Sequence, residues 1–309
     1  MSMTAGDPTA PPSGGSAAQG QALIIEAARA KGWRGIYLNP LSFPYWGVHV
    51  TAIVGVALTG VSWPALGLAL AGYLPRMFFV TGAYHRYFSH RSYKTSRWFQ
   101  FVLALGATLT AQRGPLWWAA HHRVHHKLSD APGDLHSVKQ SGFWWSHHGW
   151  LLSGALDDTD LSRIRDFAKY PELMWLNRWW MVPPAALGTI TFFAFGFDAF
   201  LWSFCVSQVL CWHGTFTINS LSHLWGARRY ATDDDSRNNP VLAIITLGEG
   251  WHNNHHHYQG SARQGFMWWE YDFSYYGLVV LRTLGIVWDL NPVPARVMSQ
   301  RMPVRVSRR

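Results

Sequence analysis

The sequence predicts an all-α integral membrane fold, four transmembrane helices with a helical cytoplasmic cap that carries a histidine-rich site. Three observations predict it: two long stretches almost without charge, basic residues placed between and beyond them, and histidines grouped at metal-ligand spacing. Of 309 residues, 49% are hydrophobic and only 14% charged, against about 25% charged in ordinary soluble proteins. That apolar content excludes intrinsic disorder. The mean hydropathy of −0.04 averages over segregated segments. Two cysteines, Cys205 and Cys211, exclude a disulfide scaffold. They also exclude a cysteine-ligated iron–sulfur cluster, which needs about four thiolates. The net charge of +9 favours anionic membrane surfaces or phosphate-bearing ligands.

Taken in order, residues 1–34 read as a disordered or amphipathic cytoplasmic N-terminus. The first twenty, rich in Gly, Pro, Ser and Ala, read as a disordered tail without the apolar core of a signal peptide. Residues 35–292 form the membrane domain. No Asp, Glu, Lys or Arg occurs from Gly35 to Pro75, room for two spans of about 20 residues each. Ser62-Trp63-Pro64 is the turn, with spans near 46–61 and 65–83. Arg76 lies in the second and reads as an interfacial arginine rather than a buried functional charge. Trp98–Gln112 is shorter and suits a buried or interfacial helix. Trp179–Ala227 is broken only by Asp198. It forms a second hairpin, with spans near 179–197 and 199–218 and Asp198 in the turn.

Two hairpins return the chain to its starting side, so Tyr84–Arg178 and Arg228–Arg309 share one face with the N-terminus. Arg29, Lys31, Arg34, Arg228 and Arg229 gather there, with Arg296, Arg301, Arg305, Arg308 and Arg309 of a basic C-terminal tail, residues 293–309. The positive-inside bias makes that face cytoplasmic. Asp233-Asp234-Asp235 reads as a solvated acidic loop. No internal repeat is visible.

Eight of sixteen histidines fall within residues 121–126 and 252–257. His85 and His90 form H-x4-H. His122, His125 and His126 form H-x2-H-H, and His252, His255 and His256 repeat it. On a helix, positions i, i+3 and i+4 share one face, so each triplet presents three imidazoles to one point. Asn219 and His223 are four apart where the last span meets the cytoplasmic side. Every cluster lies on the same face, so all can converge. His49, His136, His147, His148 and His213 lack such company and read as structural or supporting.

Imidazole suits zinc, copper, iron and nickel. One catalytic zinc takes about three protein ligands, so nine histidines fit two ions. Haem, with one or two axial ligands, fits poorly. A nitrogen-rich two-metal site in a membrane protein points to oxygen chemistry on a lipid-soluble substrate, with di-iron the best candidate. The Glu-x-x-His ligands of helical-bundle di-iron proteins are absent.

The strings HRYFSHRSYKTS (85–96), HRVHHKLSDAPGDLHS (122–137), NSLSHLWG (219–226) and GEGWHNNHHHY (248–258) resemble the histidine boxes of integral-membrane fatty acyl desaturases of the delta-9, stearoyl-CoA desaturase type. The resemblance covers roughly residues 40–292. It implies that His85, His90, His122, His125, His126, His223, His252, His255 and His256 bind two iron ions, and that Asn219 holds a metal-bound water. His121 and His257 adjoin the boxes out of register. The implied reaction uses O₂, two electrons and two protons to introduce a cis double bond, expected at delta-9, into a saturated acyl chain.

Regioselectivity calls for a narrow apolar tunnel, and Tyr73, on a face shared with Ala69, is the candidate chain-length stop. Animal acyl-CoA members carry Arg-Asp just before HRxHH, where this chain has Ala120 and His121. That departure speaks against acyl-CoA and leaves acyl-lipid or acyl-carrier substrates open, and the basic surface is compatible with any of these phosphate-bearing headgroups. No fused haem domain, dinucleotide fingerprint or cluster cysteine is visible, so electrons come from an external ferredoxin, rubredoxin or cytochrome b5. No nucleic-acid partner is expected, and a short chain without a cytochrome points to a bacterial inner membrane. A membrane di-iron hydroxylase is the alternative. A histidine-rich metal transporter is disfavoured, because transport wants ligands near the bilayer midplane.

Overall fold

The computed structural model describes residues 14–301. Part of the expected disordered tail, and Arg305, Arg308 and Arg309 of the basic tail, lie outside the described residues. Among the described residues the chain is helical apart from loops and two short strands, β1 (Lys94–Thr95) and β2 (Val287–Trp288), paired antiparallel. One part of the N-terminal expectation is corrected: helix α1 (Gly14–Ala30) begins within the first twenty residues read as a disordered tail, so residues 14–20 are helical. Alanine is the strongest helix former, and Ile25 and Ala28 bury in one cluster with Trp117, Val124 and Trp150 of the cap. A short helix α2 (Gly32–Tyr37) follows.

Helix α3 (Phe43–Thr59) stops at Gly60, whose φ of 72° only glycine adopts freely. Ser62 then caps α4 (Trp63–Phe78), its hydroxyl accepting the Ala65 N–H at 3.3 Å. α4 continues into a buried π-helical stretch, Phe79–Ser89. Among the described residues two helical runs are long and apolar enough to cross a membrane, Trp63–Ser89 and Val182–His223, while α3 is apolar but only 17 residues long.

The second run folds back on itself. Gly196 has φ 83° and ψ −179°, which breaks the helical path. On either side of it Phe192 meets Phe200, ring centres 5.6 Å apart, and Gly188 faces Phe204. The turn thus sits on Gly196, just ahead of Asp198. The π-helical segment Phe200–Val206 that follows is the hub of the apolar layer. It packs Leu201 and Trp202 against Ala65 and Ala69 of α4, and Phe204 and Cys205 against Ala52 of α3. Small side chains permit that close approach.

Arg76 corrects a second expectation. It is 7% exposed and buried between helices, not at an interface. Its guanidinium donates to Gln208 Oε1 (3.1 Å), Ser207 Oγ (2.8 Å) and the carbonyls of Gly72 and Ser203 (both 2.9 Å). The returning helix presents Ser203, Ser207 and Gln208 on one face, and those acceptors make burial of the charge tolerable.

The cap is built on α5 (Arg97–Thr108), capped by Ser96 and burying Leu103, Ala104 and Ala107, and on α6 (Pro115–Leu128). Tyr84, Phe88, Leu116, Leu173 and Leu278 complete its core.

Candidate metal centre

Local winding explains how the boxes converge. In a π-helix the backbone bonds link residues five apart, and the His90 N–H donates to the His85 carbonyl at 3.2 Å. H-x4-H therefore faces one way here, which α-helical winding would prevent. His122, His125 and His126 project from one face of α6. His252, His255 and His256 do so from the helix His252–His257, and His223 ends a 3-10 turn after the helix Ser207–Asn219.

All nine predicted histidines fall into two adjacent groups, each able to hold a metal ion: His85, His90, His122, His126 and His255, and His125, His223, His252 and His256. In the first, the Nε2 atoms close a ring. His85–His90 is 3.2 Å, His90–His122 2.9 Å, His122–His126 2.9 Å, His126–His255 2.9 Å and His255–His85 3.0 Å. In the second, His223 and His252 are 3.1 Å apart through Nε2. The rings of His126 and His256 link the groups with centres 4.5 Å apart.

The donor set fits metal. Nitrogens about 2.1 Å from one cation, at right angles around it, stand about 3.0 Å apart. Four imidazoles have Nδ1 facing a buried carboxylate: His85–Glu249 (2.5 Å), His125–Asp134 (2.9 Å), His223–Asp130 (2.8 Å) and His256–Asp234 (2.5 Å). A carboxylate only accepts, so each neutral ring carries its proton on Nδ1 and turns the Nε2 lone pair into the cluster. The Nε2 atoms of His125 and His256 are buried without a hydrogen-bond partner, and a bound cation would satisfy both lone pairs.

Electrostatics agree. Burial first, then the neighbouring imidazoles, hold His122, His126, His252 and His255 well below the usual histidine value, in the neutral form that binds metal. Burial lowers His256 to about 4 against the opposing pull of Asp234. Burial works against the carboxylates, yet the facing imidazoles hold Asp130, Asp134, Asp234 and Glu249 below the ordinary range.

These four carboxylates are what sequence reasoning missed. The acidic run is solvated only in part: Asp233 is exposed, while Asp234 is buried against His256. Outer contacts hold the frame. Arg86 is buried between Glu249 (3.0 Å) and Asp272 (2.9 Å). Arg123 ties α6 to Asp166 and to the Phe88 and Ser89 carbonyls. Asn253 and Asn254 pin the third box, bonding Tyr230 and Glu270.

A narrow cavity adjoins the cluster, made of two small spaces that share Trp118, His122, His136, Thr215 and Asn219 in their walls. Met77, Val80 and Ile218 line one of the two. Asn219 thus lines the same two spaces as His122. Tyr73 lines neither. It packs behind Met77 and Val80, its hydroxyl donating to the Ile245 carbonyl at 2.5 Å. His136, read as supporting, lines the cavity with its ring 4.2 Å from that of His125.

The remaining histidines belong to neither metal group, although His121 lines one of the two spaces. His121 stacks on Trp117 (4.1 Å), and His257 stacks on Tyr230 (4.2 Å). His49, His213 and His147 form a hydrogen-bonded chain at 3.0 and 2.9 Å, ending at Ser220. His148 packs edge-on against Tyr37.

Two adjacent histidine groups beside a narrow cavity could each hold a metal ion next to a bound ligand. The chain belongs to the fatty acid desaturase family, whose profile matches residues 60–276. It is 36% identical over 262 residues to the sn-1 stearoyl-lipid 9-desaturase of Anabaena variabilis, covering 82% of this chain and 93% of that protein. With the sn-2 palmitoyl-lipid 9-desaturase of Nostoc sp. (strain 36) it shares 37% over 73% of this chain and 81% of that one. The icosanoyl-CoA 5-desaturase of Limnanthes douglasii is 32% identical over 82% of this chain and 72% of that protein. The protein is therefore an oxidoreductase that acts on fatty acyl chains.

Proposed function

We propose that the protein is an O₂-dependent acyl-lipid 9-desaturase whose nine clustered histidines hold two iron ions, with Asn219 holding a metal-bound water. The gathering of the nine histidines into two groups of metal-binding size, with His85, His122, His125 and His252 in the wall of the narrow cavity, carries this reading. Bound there, the irons supply the oxidation an unactivated methylene pair requires: –CH2–CH2– + O₂ + 2 e⁻ + 2 H⁺ gives cis –CH=CH– and two waters. The protein's part is orientation. Asp130, Asp134, Asp234 and Glu249 fix four ring tautomers, and the narrow cavity holds the chain beside Asn219 and His122, which line it.

Chain length is set where Met77 forms the wall of the narrow cavity and Tyr73 backs it as the stop. Ala120 and His121 stand where acyl-CoA enzymes carry Arg-Asp, and His121 is taken up by Trp117. Together with the lipid substrates in the names of relatives, this favours a glycerolipid over acyl-CoA. The four apolar helices on either side of Gly60 and Gly196 span a bacterial inner membrane, with both termini and the site cytoplasmic. An external ferredoxin, rubredoxin or cytochrome b5 supplies the electrons.

Gas chromatography–mass spectrometry of total fatty acids, in a desaturase-deficient host expressing this chain, tests the reading. New cis-9 monoenes on membrane lipids are expected, absent from a His252→Ala host. Hydroxylated chains instead of alkenes would make the protein a hydroxylase.

A further inference from the structure

Beside the narrow cavity lies a larger one of about 500 Å³, in the range of pockets that hold whole ligands, about 300–1,000 Å³. It runs from Pro44 and Met181 to Phe200 and Phe204, between α3 and the hairpin turned at Gly196, and is almost wholly apolar. One thin wall divides the two cavities. Along residues 111–113 the side chains alternate: Ala111 and Arg113 line the larger cavity, Gln112 lines the narrow one, and Leu151 borders both.

The wall is held in place. Gln208 and Trp212 donate to the Thr110 carbonyl at 2.5 and 3.1 Å, and Gln112 donates to Thr215 Oγ1 at 3.1 Å. Arg113 pairs with Asp157 and lies between the rings of Trp117 and Trp180. Ala111 and Arg113 have φ of 51° and 75°, unfavourable for non-glycine residues and kept only where surroundings impose them.

We propose that the larger cavity binds the non-reacting acyl chain of a diacyl glycerolipid while the reacting chain fills the narrow one. This rests on the acyl-lipid reading above. Two chains leaving one glycerol must part, and the wall at residues 111–113 is where the cavities part. The groove opens on helices whose outer residues, among them Val50, Ile53, Phe193 and Phe195, are exposed and apolar, so a lipid can reach it from the bilayer. A single-chain thioester would leave it unfilled.

The test uses the full-length protein in nanodiscs with a diacyl phosphatidylglycerol bearing a photoactivated diazirine on one chain, the sn-1 and sn-2 isomers in separate runs. One isomer is expected to label Gly47–Thr51 and Met181–Ala185 above Ile53 and Phe193, and the other to label Met77–Val80. Equal labelling of the groove and of Ile53 and Phe193 would mean ordinary surrounding lipid and overturn the proposal. The labelling map needs neither iron nor turnover, so it stands or falls apart from the desaturase reading.

Filling the groove gives a second readout. A Cβ at Gly47 meets nothing within 4 Å, and Ala185 is exposed, so Gly47→Phe and Ala185→Trp add bulk without displacing backbone. With either variant, kcat/KM for the diacyl lipid should fall about tenfold, ~1.4 kcal/mol, while lysophosphatidylglycerol turnover stays within about twofold. Equal losses on both substrates, or none on either, would refute the assignment.

Discussion

Asp234→Asn is the most informative single change, because it tests whether a residue inside an ordinary-looking acidic run governs metal binding. Asp234 is buried, with Oδ2 2.5 Å from His256 Nδ1 and Oδ1 accepting from the Ser236 hydroxyl (2.5 Å) and N–H (3.1 Å). An amide cannot serve both neighbours. If its oxygen stays on Ser236, its NH2 meets His256 Nδ1, and the ring must carry its proton on Nε2, where the metal should be. If the amide flips, its NH2 opposes the Ser236 N–H.

A hydrogen bond to a charged group contributes about 1.5–3 kcal/mol. Loss of such an outer partner typically costs about 10–100-fold in metal affinity; the two figures agree. The assay is chelator titration of the iron-loaded protein, with iron counted by mass spectrometry. The midpoint should fall by about one to two decades in chelator concentration. Asp233→Asn, altering the exposed neighbour, should not move it. An unshifted Asp234→Asn midpoint, or an equal loss in Asp233→Asn, would refute the tautomer argument.

Further outcomes are expected. Met77→Ala, which opens the cavity wall, and Tyr73→Ala, which removes its backing, should lengthen the chains desaturated, read as the product profile; an unchanged profile in both would remove the stop from that wall. Arg76→Ala leaves Gln208, Ser207 and the Ser203 carbonyl without their donor and should destabilise the folded protein by about 2–4 kcal/mol. Thermal unfolding in detergent reads that loss, with iron per folded chain unchanged. The metal-free protein should lose stability as pH falls from about 6.5 toward 4. Burial holds His122, His126, His252 and His255 below their unfolded value and lowers His256 to about 4, so through these five rings the unfolded state binds more protons across that window. The depressed carboxylates act in the same direction at lower pH. A melting temperature flat between pH 7 and 5 would contradict this.

The histidine boxes were legible because ligand spacing is local: i, i+3 and i+4 on a helix is a pattern within five residues. Their convergence followed from counting hairpins. What escaped the sequence depends on pairings across the fold. Asp130 meets His223 and Glu249 meets His85 only after four helices have packed, and nothing within a six-residue window marks either carboxylate. Arg76 looks interfacial until the facing Ser203, Ser207 and Gln208 are seen to solvate it. The turn of the second hairpin was placed on the charged Asp198, yet backbone sterics put it on Gly196. At the N-terminus, composition suggested disorder, but a few alanines and Ile25 suffice for a helix once Trp117 and Trp150 offer a surface.

The direct test of the two-metal centre is iron per folded chain in purified wild-type protein and in one variant from each histidine group, His122→Ala and His252→Ala. The proposal expects about two irons in the wild type, with Mössbauer signals from two neighbouring sites, and loss of iron in both variants. One iron per chain, or full occupancy after either substitution, would contradict it.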